Sequence, residues 1–470
     1  MVGAGGLSRW QRRDTAALFA VLLLAALARL GFAFRAPLFV VNDSLSYVLP
    51  AWELLHGEGF SPIYKRPPLY PLFVAKVLWL FGEDPQAIAV TQHVMGIGVV
   101  ALAFMLGFLL AGSIGASVAG ALTASSSPLI LTEHYLMSET LYGFLLTLTV
   151  ISFILTERSG SIRLAAVTGA LLALSALTRP IAQLVLPMVV IWIAWRYWED
   201  RRRAVLLGSA VCMTYIAIVS PWMLRNLAVQ GSFTVAGGMG EGIAVRTIRY
   251  EQRFDFRSSD PAEPEPMRQA RRIYRDEASD GSAFQLAARL RDELRVSPAT
   301  ADTLMRQIAF QAIRQQPMYY LTGSAEMFWK VLTGRTARLR QDWTPWRGMV
   351  WDSRIPHLLP RATSLQNTEF AAAEWVSSLY DPAKAWPVLL PLALAGVLIT
   401  SGSSGRGLPW LLAILTLGQI AAAAALVGIE WRYRYPLDPV INALVGAGLA
   451  GVLGLMRRHL GHRVRPIRLS

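Results

Sequence analysis

Cysteine, lysine and charged residues in general are scarce in this chain, and their scarcity narrows the kinds of site and the class of protein that are possible. The single cysteine, Cys212, rules out an intramolecular disulfide and any cysteine-based zinc site. Only four of the 45 basic residues are lysines, so guanidinium groups carry most of the positive charge. Charged residues make up 16% of the 470 residues and hydrophobic residues 54%, against about 25% and 45–50% in an average soluble domain. This composition excludes an ordinary cytosolic enzyme.

Long apolar blocks account for the hydrophobic excess, and several approach the roughly 20 residues that cross a bilayer as a helix. We therefore predict an all-α polytopic membrane protein with about ten spans. The weakest block is 114–131, because the three serines and the proline at 125–128 disfavour a regular helix. The predicted spans lie near residues 15–34, 88–111, 114–131, 138–156, 163–178, 181–198, 204–220, 386–401, 408–428 and 436–456.

Basic residues in the short connections predict the orientation, since cytoplasmic loops are enriched in Lys and Arg. With the N-terminus inside, the cytoplasmic connections carry fifteen basic residues and the short outer loops seven. Both termini are therefore predicted to be cytoplasmic. The first span could instead be a signal peptide cleaved near Ala26–Ala28. Its apolar run reaches Phe34, however, and is longer than the roughly 7–15 residues of the hydrophobic region of a signal peptide.

Two regions lie outside the membrane in this topology. The first outer loop, about 35–87, contains an amphipathic stretch, 44–56, and an apolar stretch, 69–81, which are predicted to be helices lying at the interface. The second region, 225–385, carries 22 basic and 18 acidic residues and is predicted to be a small, mostly helical extracytoplasmic domain. The chain thus divides into an N-terminal transmembrane module, 1–224, this domain, and C-terminal spans with a basic cytoplasmic tail, 386–470.

Within the second region, residues 309–333 have a long helical pattern, and residues 255–266, rich in Pro and charge, are predicted to form a flexible loop. The Gly-rich run Gly237, Gly238, Gly240 and Gly242 lacks the strand-to-helix setting of a dinucleotide site and is also predicted to be a loop. The cytoplasmic connections are short and contain no phosphate-binding loop. An activated substrate must then come from the membrane or from the outer face.

Unusual polar residues concentrate on that outer face, first in loop 35–87. Asp43 is either the N-cap of the interfacial helix, where a short carboxylate accepts free N–H groups, or a functional carboxylate. Lys65 and Arg66 precede a rigid pair of prolines and either meet lipid head groups or belong to a site. These residues alone leave both alternatives open.

Two acids and a histidine, Glu133, His134 and Glu139, follow at the outer mouth of the predicted bundle. Ser138 as a helix cap with Glu139 in the first turn is a sufficient structural explanation, because the helix dipole favours an acid there. The three ionisable groups nevertheless cost desolvation unless they face a cavity. They could gather a divalent cation, but we do not favour a metal without a further firm ligand.

The last outer loop places Arg432 and Arg434 at alternate positions, with Tyr433 between them. An aromatic belt with snorkelling arginines explains this pattern. The same pair would also make a fork for a phosphate or diphosphate group, which a lysine meets only as a point charge. Arg225 similarly ends the seventh predicted span at the outer surface.

Taken in order, these segments resemble the lipid-phosphate-dependent glycosyltransferases of the GT-C superfamily, in particular the bacterial branch similar to protein O-mannosyltransferases and to the lipid A aminoarabinose transferase. The resemblance covers residues 15 to about 235 and 425–456. The matching features are Asp43 followed by Tyr47, then GEGFSPIYKRPPLYPLF, SETLYGFLLTL, ALTRP, SPWMLRNLAVQGSF and EWRYRYPLDPV.

The resemblance implies an enzyme of the bacterial inner membrane that transfers a sugar from a polyprenyl-phosphate donor to an acceptor hydroxyl on the outer face, with inversion. It implies Asp43 as the catalytic base, Glu139 as a second acid and Arg66 beside the donor phosphate. Lys65 stands where some relatives have an acid, which puts a metal at that position in doubt. The predicted phosphate ligands are Arg66, Arg432, Arg434, Lys65 and Arg225, and the predicted cavity residues are Tyr47, Glu133, His134 and Tyr433.

Two other functions stay open. A lipid-linked oligosaccharide flippase or another transporter would place ionisable groups near the bilayer midplane on broken helices, whereas the acids here cluster at span ends. A scaffold would use the 225–385 domain to bind a partner. The expected partners of the enzyme are the lipid-linked sugar, a lipid, glycan or protein acceptor and membrane lipids, with no nucleic acid.

Overall fold

Residues 10–41, 43–250, 254–257, 262–279, 283, 285–334, 352–358, 375–404, 407–428 and 431–463 are described by the structure, a computed structural model. Regular structure in these ranges is helical, and β pairing within them is limited to two isolated bridges, Phe39 with Tyr135 and Ser126 with Tyr380. The predicted all-α fold class is confirmed.

Helices make up most of the first half of the chain. They are α1 Arg12–Ala33, α2 Leu45–Leu55, α3 Leu69–Phe81, α4 Pro85–Ser125, α5 Ser127–Thr132, α6 Glu139–Ser159, α7 Ile162–Thr178, α8 Val185–Arg196 and α9 Arg201–Gln230. A 3-10 turn, Pro180–Leu184, leads into α8. Both stretches predicted as interfacial helices in the first outer loop are helical, as α2 and α3.

The described helices beyond Gln230 are α10 Met239–Val245, α11 Glu265–Ser279, α12 Leu286–Leu294, α13 Pro298–Gln315, α14 Pro317–Thr333, α15 Pro382–Ser404, α16 Leu408–Leu426 and α17 Asp438–Arg463. Helices α10 to α13 share an apolar core that includes Ile243, Tyr274, Leu290 and Ile308.

Seven of the described helices, α1, α4, α6, α9, α15, α16 and α17, are long and apolar enough to cross a membrane. Three apolar segments are shorter: α3, α7 and the segment from Pro180 through α8. The chain is therefore a multi-pass membrane protein. The exact number of spans stays a prediction.

Helix α4 is a hairpin of two arms rather than one rod. Its backbone leaves helical geometry at Ala111 and at Gly112, which has a φ of +69°. A Cβ on Gly107 would lie 2.4 Å from the carbonyl oxygen of Gly115, and a Cβ on Gly120 would lie 3.0 Å from Phe104. Residues 104 and 120 would be about 24 Å apart along a straight helix, so the chain reverses at Gly112. The arms match two predicted spans, and the helix break expected at 125–128 occurs at Ser126.

The first outer loop is anchored on the segment between α5 and α6. The Phe39 N–H donates to the His134 carbonyl at 2.9 Å, and the Leu136 N–H donates back to the Phe39 carbonyl at 2.9 Å. Tyr47 and Tyr70 of α2 and α3 are buried in the same apolar cluster as Leu136. These contacts bring Asp43 and Glu139 to one face of the bundle.

The Gly-rich run predicted to be a loop is a loop only as far as Gly238, because α10 begins at Met239. Asp302 of α13 accepts hydrogen bonds from the N–H groups of Gly240 at 2.8 Å and Glu241 at 3.2 Å. The side chain that stabilises the start of this helix therefore comes from a residue about 60 positions away. A local pattern could not show this cap.

The helical pattern of 309–333 is interrupted, since α13 ends at Gln315 and α14 begins at Pro317. The residue before a proline is driven out of the helical region, and Gln316 has φ −132° and ψ 57°. Of the predicted flexible loop 255–266, residues 258–261 lie outside the described ranges.

Two glycines test the packing of α7 against α9. A Cβ on Gly169 would lie 2.3 Å from the Val211 carbonyl oxygen, whereas a Cβ on Gly208 meets nothing within 4 Å. We expect Gly169→Ala to destabilise the protein by about 1–3 kcal/mol through overpacking. We expect Gly208→Ala to be neutral or stabilising by up to ~1 kcal/mol, because alanine favours helix. Thermal unfolding in one detergent gives the comparison, and equal shifts would contradict this packing.

Candidate active site

Asp43 lies between two guanidinium groups. Its Oδ1 is 2.6 Å from Arg66 Nη2, and its Oδ2 is 2.9 Å from Arg432 Nη2. The N-cap position of α2 belongs to Ser44, so Asp43 does not cap this helix. The carboxylate thus joins the first outer loop to the last one.

The charges around Asp43 set its protonation state. Burial raises the pKa of the Asp43 carboxyl, but attraction by Arg66, Arg432 and Lys65 together lowers this pKa by a larger amount. The resulting pKa lies well below its ordinary value. Asp43 is therefore an ionised acceptor at neutral pH. Because the pKa of Asp43 is lowered in the folded state, the ion pairs of Asp43 stabilise the protein fully at pH values above the ordinary pKa of a carboxyl. This stabilisation is lost only in strong acid.

Arg66 is held in one orientation by the helix that follows Asp43. Its Nε donates to Ser46 Oγ at 2.9 Å and its Nη1 donates to Tyr47 Oη at 2.9 Å. The guanidinium carbon also lies 4.6 Å from the centre of the Tyr47 ring. These contacts place Tyr47, a predicted cavity residue, directly beside the predicted phosphate ligand.

Glu139 forms the second acidic point of the site. It is the first residue of α6, and the Ser138 side chain before it makes no capping hydrogen bond. Glu139 Oε1 lies 2.6 Å from Arg179 Nη1 and 3.8 Å from Arg432 Nε. Arg179 follows α7 and precedes the turn of Pro180, and its guanidinium carbon lies 5.7 Å from the centre of the Tyr433 ring.

Asp43, Arg66, Glu139, Arg179 and Arg432, from here on the outer cluster, thus form one chain of contacts. Three positive and two negative side chains give it a formal charge of +1. Such a cluster suits an anionic ligand, since guanidinium groups bind phosphate oxygens through paired N–H donors.

A small cavity borders the outer cluster. Its lining includes Glu139, Thr140 and Gly143 of α6, and also Glu133. Tyr435, Pro436 and Pro439 complete the wall toward the last spans. The two acids of the 133–139 segment therefore face a common space, although their other partners differ.

Glu133 belongs to a buried ionic network. Arg29 of α1 contacts it twice, from Nε to Oε2 at 2.8 Å and from Nη2 to Oε1 at 2.9 Å. His93 of α4 places Nδ1 3.0 Å from Glu133 Oε2 and Nε2 3.0 Å from His134 Nδ1. Gly96 makes room for the carboxylate, because a Cβ there would lie 2.2 Å from Glu133 Cδ. This buried network joins α1, α4 and the segment before α6.

Hydrogen-bond geometry places one extra proton in the buried network. His134 Nε2 lies 2.7 Å from the Pro37 carbonyl and must donate to it, and burial lowers the pKa of His134 to about 3, so His134 is neutral. Its Nδ1 then accepts from His93 Nε2. The contact between His93 Nδ1 and Glu133 requires a further proton on one of the two. With Arg29 included, the formal charge is +1 in either case.

The remaining predicted phosphate ligands lie apart from the outer cluster. Arg434 is buried, donates from Nε to Asp438 Oδ1 at 2.8 Å and from Nη1 to the Leu332 carbonyl at 2.9 Å. The predicted fork of Arg432 and Arg434 is therefore not formed: the chain turns through 3-10 geometry between them, and alternate residues point in different directions.

Lys65 and Arg225 also have other partners. Lys65 Nζ lies 2.6 Å from Glu241 Oε1 of α10, which ties the first outer loop to the 225–385 region. Arg225 contacts Asn226 and the Phe60 carbonyl and lies 4.8 Å from the Trp222 ring centre. Their assignment to a phosphate stays a prediction.

Three residues of these clusters had no assigned role at the level of sequence. Arg179 stands in the ALTRP segment, where a basic residue directly before a proline at the end of an apolar helix was the available signal. Arg29 and His93 lie inside predicted spans. An ionisable residue in such a span needs a polar partner, and this constraint would have pointed to Glu133.

The residues considered for a divalent cation do not converge. His134 uses both ring nitrogens on protein partners, Glu133 faces Arg29, and Glu139 faces Arg179. Across the part of the chain that the structure describes, no group of three or more His, Cys, Asp or Glu side chains is arranged to hold a metal.

The buried network predicts a large difference between two Glu→Gln variants. Glu133→Gln replaces one of the two oxygens that Arg29 contacts with an NH2 group, so the buried Arg29 charge loses an acceptor, and we expect a loss of about 3–5 kcal/mol of stability. Glu326→Gln removes an exposed ion pair with Lys330, and we expect almost no change. Thermal unfolding of both proteins in the same micelles measures this difference. Similar melting temperatures for the two variants would contradict the proposed contribution of the buried network to stability.

Comparisons with known proteins now bear on this geometry. No family model matches the sequence, and no curated protein matches it. The oligosaccharyltransferase AglB from Archaeoglobus fulgidus, in complex with an inhibitory peptide and a dolichol-phosphate, is similar with a TM-score of 0.51 and 12% identity over 98% of this chain. This chain spans about half of that protein, 53% of its length.

Two further structures match with lower scores. The S. cerevisiae protein O-mannosyltransferase Pmt1-Pmt2 complex bound to the sugar donor has a TM-score of 0.39 and 14% identity, over 50% of this chain and 36% of its own. ArnT from Cupriavidus metallidurans bound to undecaprenyl phosphate has a TM-score of 0.37 and 13% identity, over 99% and 82%. Over most of its length, this chain therefore shares the fold of the AglB oligosaccharyltransferase.

Proposed function

We propose that this protein is a membrane glycosyltransferase that transfers a sugar from a polyprenyl-phosphate donor to an acceptor hydroxyl on the extracytoplasmic face. The observation that carries the proposal is the outer cluster, in which an ionised Asp43 and a surplus of guanidinium charge lie together on one face of a GT-C fold. The lipid phosphates and the sugar donor bound to the similar proteins support the same donor class.

The arginines suit the leaving group of such a transfer. As the bond between the anomeric carbon and the phosphate oxygen breaks, the electron pair stays on the phosphate and its negative charge grows. Fixed cations aimed at this group stabilise the transition state more than the ground state. Arg66 and Arg432 would meet the phosphate, and Arg179 would hold Glu139 beside it.

Asp43 suits the attacking group. The acceptor hydroxyl forms a new bond to the anomeric carbon on the face opposite the phosphate, which inverts that carbon, and its proton passes to the Asp43 carboxylate. The transition state has oxocarbenium character, and the Glu139 carboxylate would stabilise positive charge on the ring. Tyr47 and Tyr433 would bound the sugar.

The salt bridges of Asp43 make its basicity depend on the donor. A carboxylate whose pKa lies this low accepts a proton poorly. A donor phosphate competes for the same N–H groups of Arg66 and Arg432, and each hydrogen bond that moves to the phosphate raises the pKa of Asp43. The base is then strongest when the donor is bound, which limits wasteful reaction in its absence.

The location of the reaction follows from the predicted orientation. The excess of basic residues on the opposite connections supports an outer cluster outside the membrane and both termini in the cytoplasm. The proposed location is the inner membrane of a bacterium. The acceptor is a lipid, a glycan or a protein. Mass spectrometry of the cell-envelope glycolipids and glycans of a strain without this gene identifies the transferred sugar by its absence.

Asp43→Asn tests the base. The amide cannot take the proton, so we expect turnover of a lipid-linked sugar to fall by about 10²- to 10⁴-fold. We expect expression to be retained and the melting temperature to fall, because the two ion pairs of Asp43 are lost. Asp255→Asn, at an exposed pair with Arg257, is the matched control. Full turnover by Asp43→Asn would remove this residue from the mechanism. Movement of a labelled lipid-sugar across proteoliposomes without any glycosidic product would indicate a transporter instead.

Two Arg→Lys variants test the phosphate ligand. For Arg432→Lys we expect kcat/KM for the donor to fall by about 10- to 100-fold, the ~1.5–3 kcal/mol of a hydrogen bond to a charged group. For Arg434→Lys we expect a lower melting temperature and a smaller loss of kcat/KM than for Arg432→Lys, because Arg434 donates hydrogen bonds to Asp438 and to the Leu332 carbonyl. Donor titrations and melting curves on both proteins separate the effects. The reverse pattern would exchange the two roles.

A further inference from the structure

Helix α14 is tied at both ends to the outer ends of membrane spans. Near its start, Tyr320 Oη donates to the Ala425 carbonyl at the end of α16, at 2.7 Å. Near its end, the Leu332 carbonyl accepts from Arg434, which precedes α17, at 2.9 Å. The two tethers are about 18 Å apart along the helix. Since α16 ends and α17 begins on the same side of the membrane, α14 lies across the bundle at that level.

One face of α14 packs on the protein. Met327 and Val331 are buried, and Val331 and Leu332 belong to the same apolar core as Trp386 of α15 and Leu437. Arg246 supports this side, because it donates to the Ala424 carbonyl at 3.1 Å and to Ser324 Oγ of α14 at 3.2 Å. The helix is thus a fixed part of the outer surface.

The opposite face is apolar and exposed. Met318, Leu321 and Trp329 are exposed by 68%, 57% and 46%, and their spacing of three and eight residues places them on one side of a helix. Ala325 lies between them and is also exposed. The polar flank is formed by the ion pair of Glu326 and Lys330. An apolar stripe beside a charged flank is the pattern of a helix lying in a membrane interface.

The neighbouring spans also carry exposed apolar side chains. Val388 of α15 is exposed, as are Ile414 and Leu417 of α16. These side chains belong to helices that cross the membrane, so their surroundings are acyl chains. A helix that joins the outer ends of the same spans lies where the acyl chains meet the head groups, and tryptophan is enriched at that depth.

We propose that α14 lies in the outer interface of the bilayer, with Met318, Leu321, Ala325 and Trp329 inserted among the acyl chains of that leaflet. The helix is then a surface for lipid, not for a protein partner. Its far end meets the loop of Arg434, next to the outer cluster, so the membrane surface reaches the edge of the site along this helix. The proposal does not depend on the transfer reaction.

Spin labels measure the environment of this face directly. In the full chain with Cys212→Ser, single substitutions Met318→Cys, Leu321→Cys and Trp329→Cys carry a nitroxide, and Glu326→Cys is the matched control on the polar flank. Each protein is reconstituted into liposomes, and collision rates with molecular oxygen and with a water-soluble nickel chelate are compared. We expect the oxygen-to-nickel ratio at 318, 321 and 329 to be several-fold higher than at 326.

Two results would overturn the proposal. Nickel collisions that dominate at 321 and 329 would place this face in water, and low collision rates with both reagents would show that protein covers it. A variant that fails to fold is recognised by its failure to reconstitute as a monodisperse species. In that case Ala325→Cys reports on the same face, because its small side chain removes no packing contact.

Discussion

The ion pair between Asp43 and Arg432 joins residues 389 positions apart and closes the outer site. It holds the first outer loop against the turn that precedes the last span. Arg66 binds the other oxygen of the same carboxylate. Glu139 and Arg179 extend the same line of charge toward α6 and α7. The geometry of the site therefore depends on ion pairs between distant segments. A change in one charge alters the electrostatic environment of all five residues of the outer cluster.

The two charged groups of the bundle have opposite characters. In the buried network, Arg29, Glu133, His93 and His134 use their polar atoms chiefly on one another and on backbone carbonyls, which suits a structural role. In the outer cluster Glu139 is buried, but Asp43 and the three arginines are partly exposed, and the cluster carries a surplus of positive charge. A ligand of opposite sign gains most there. The cavity that Glu133 and Glu139 share marks the boundary between the two.

Hydrophobic periodicity was enough to predict the all-α membrane fold, and the order of outer-face acids and arginines was enough to bring Asp43, Arg66, Glu139 and Arg432 under consideration. Local patterns failed where a distant partner decides the outcome. Asp302 caps a helix in a run of glycines that was expected to be a loop. Asp438 binds the side chain of Arg434 apart from the outer cluster. Arg179 was given no role from the sequence, because its role depends on the contact with Glu139, which only the fold brings about.

The reversal at Gly112 has a mechanical consequence. Because no loop separates the arms of α4 and their glycine backbones are in contact, neither arm can slide past the other when the bilayer becomes thicker or thinner. The hairpin must move as one unit, and the segment that carries Glu133, His134 and Glu139 follows it directly. The position of these acids in the bundle is therefore fixed through the hairpin and not by a flexible loop.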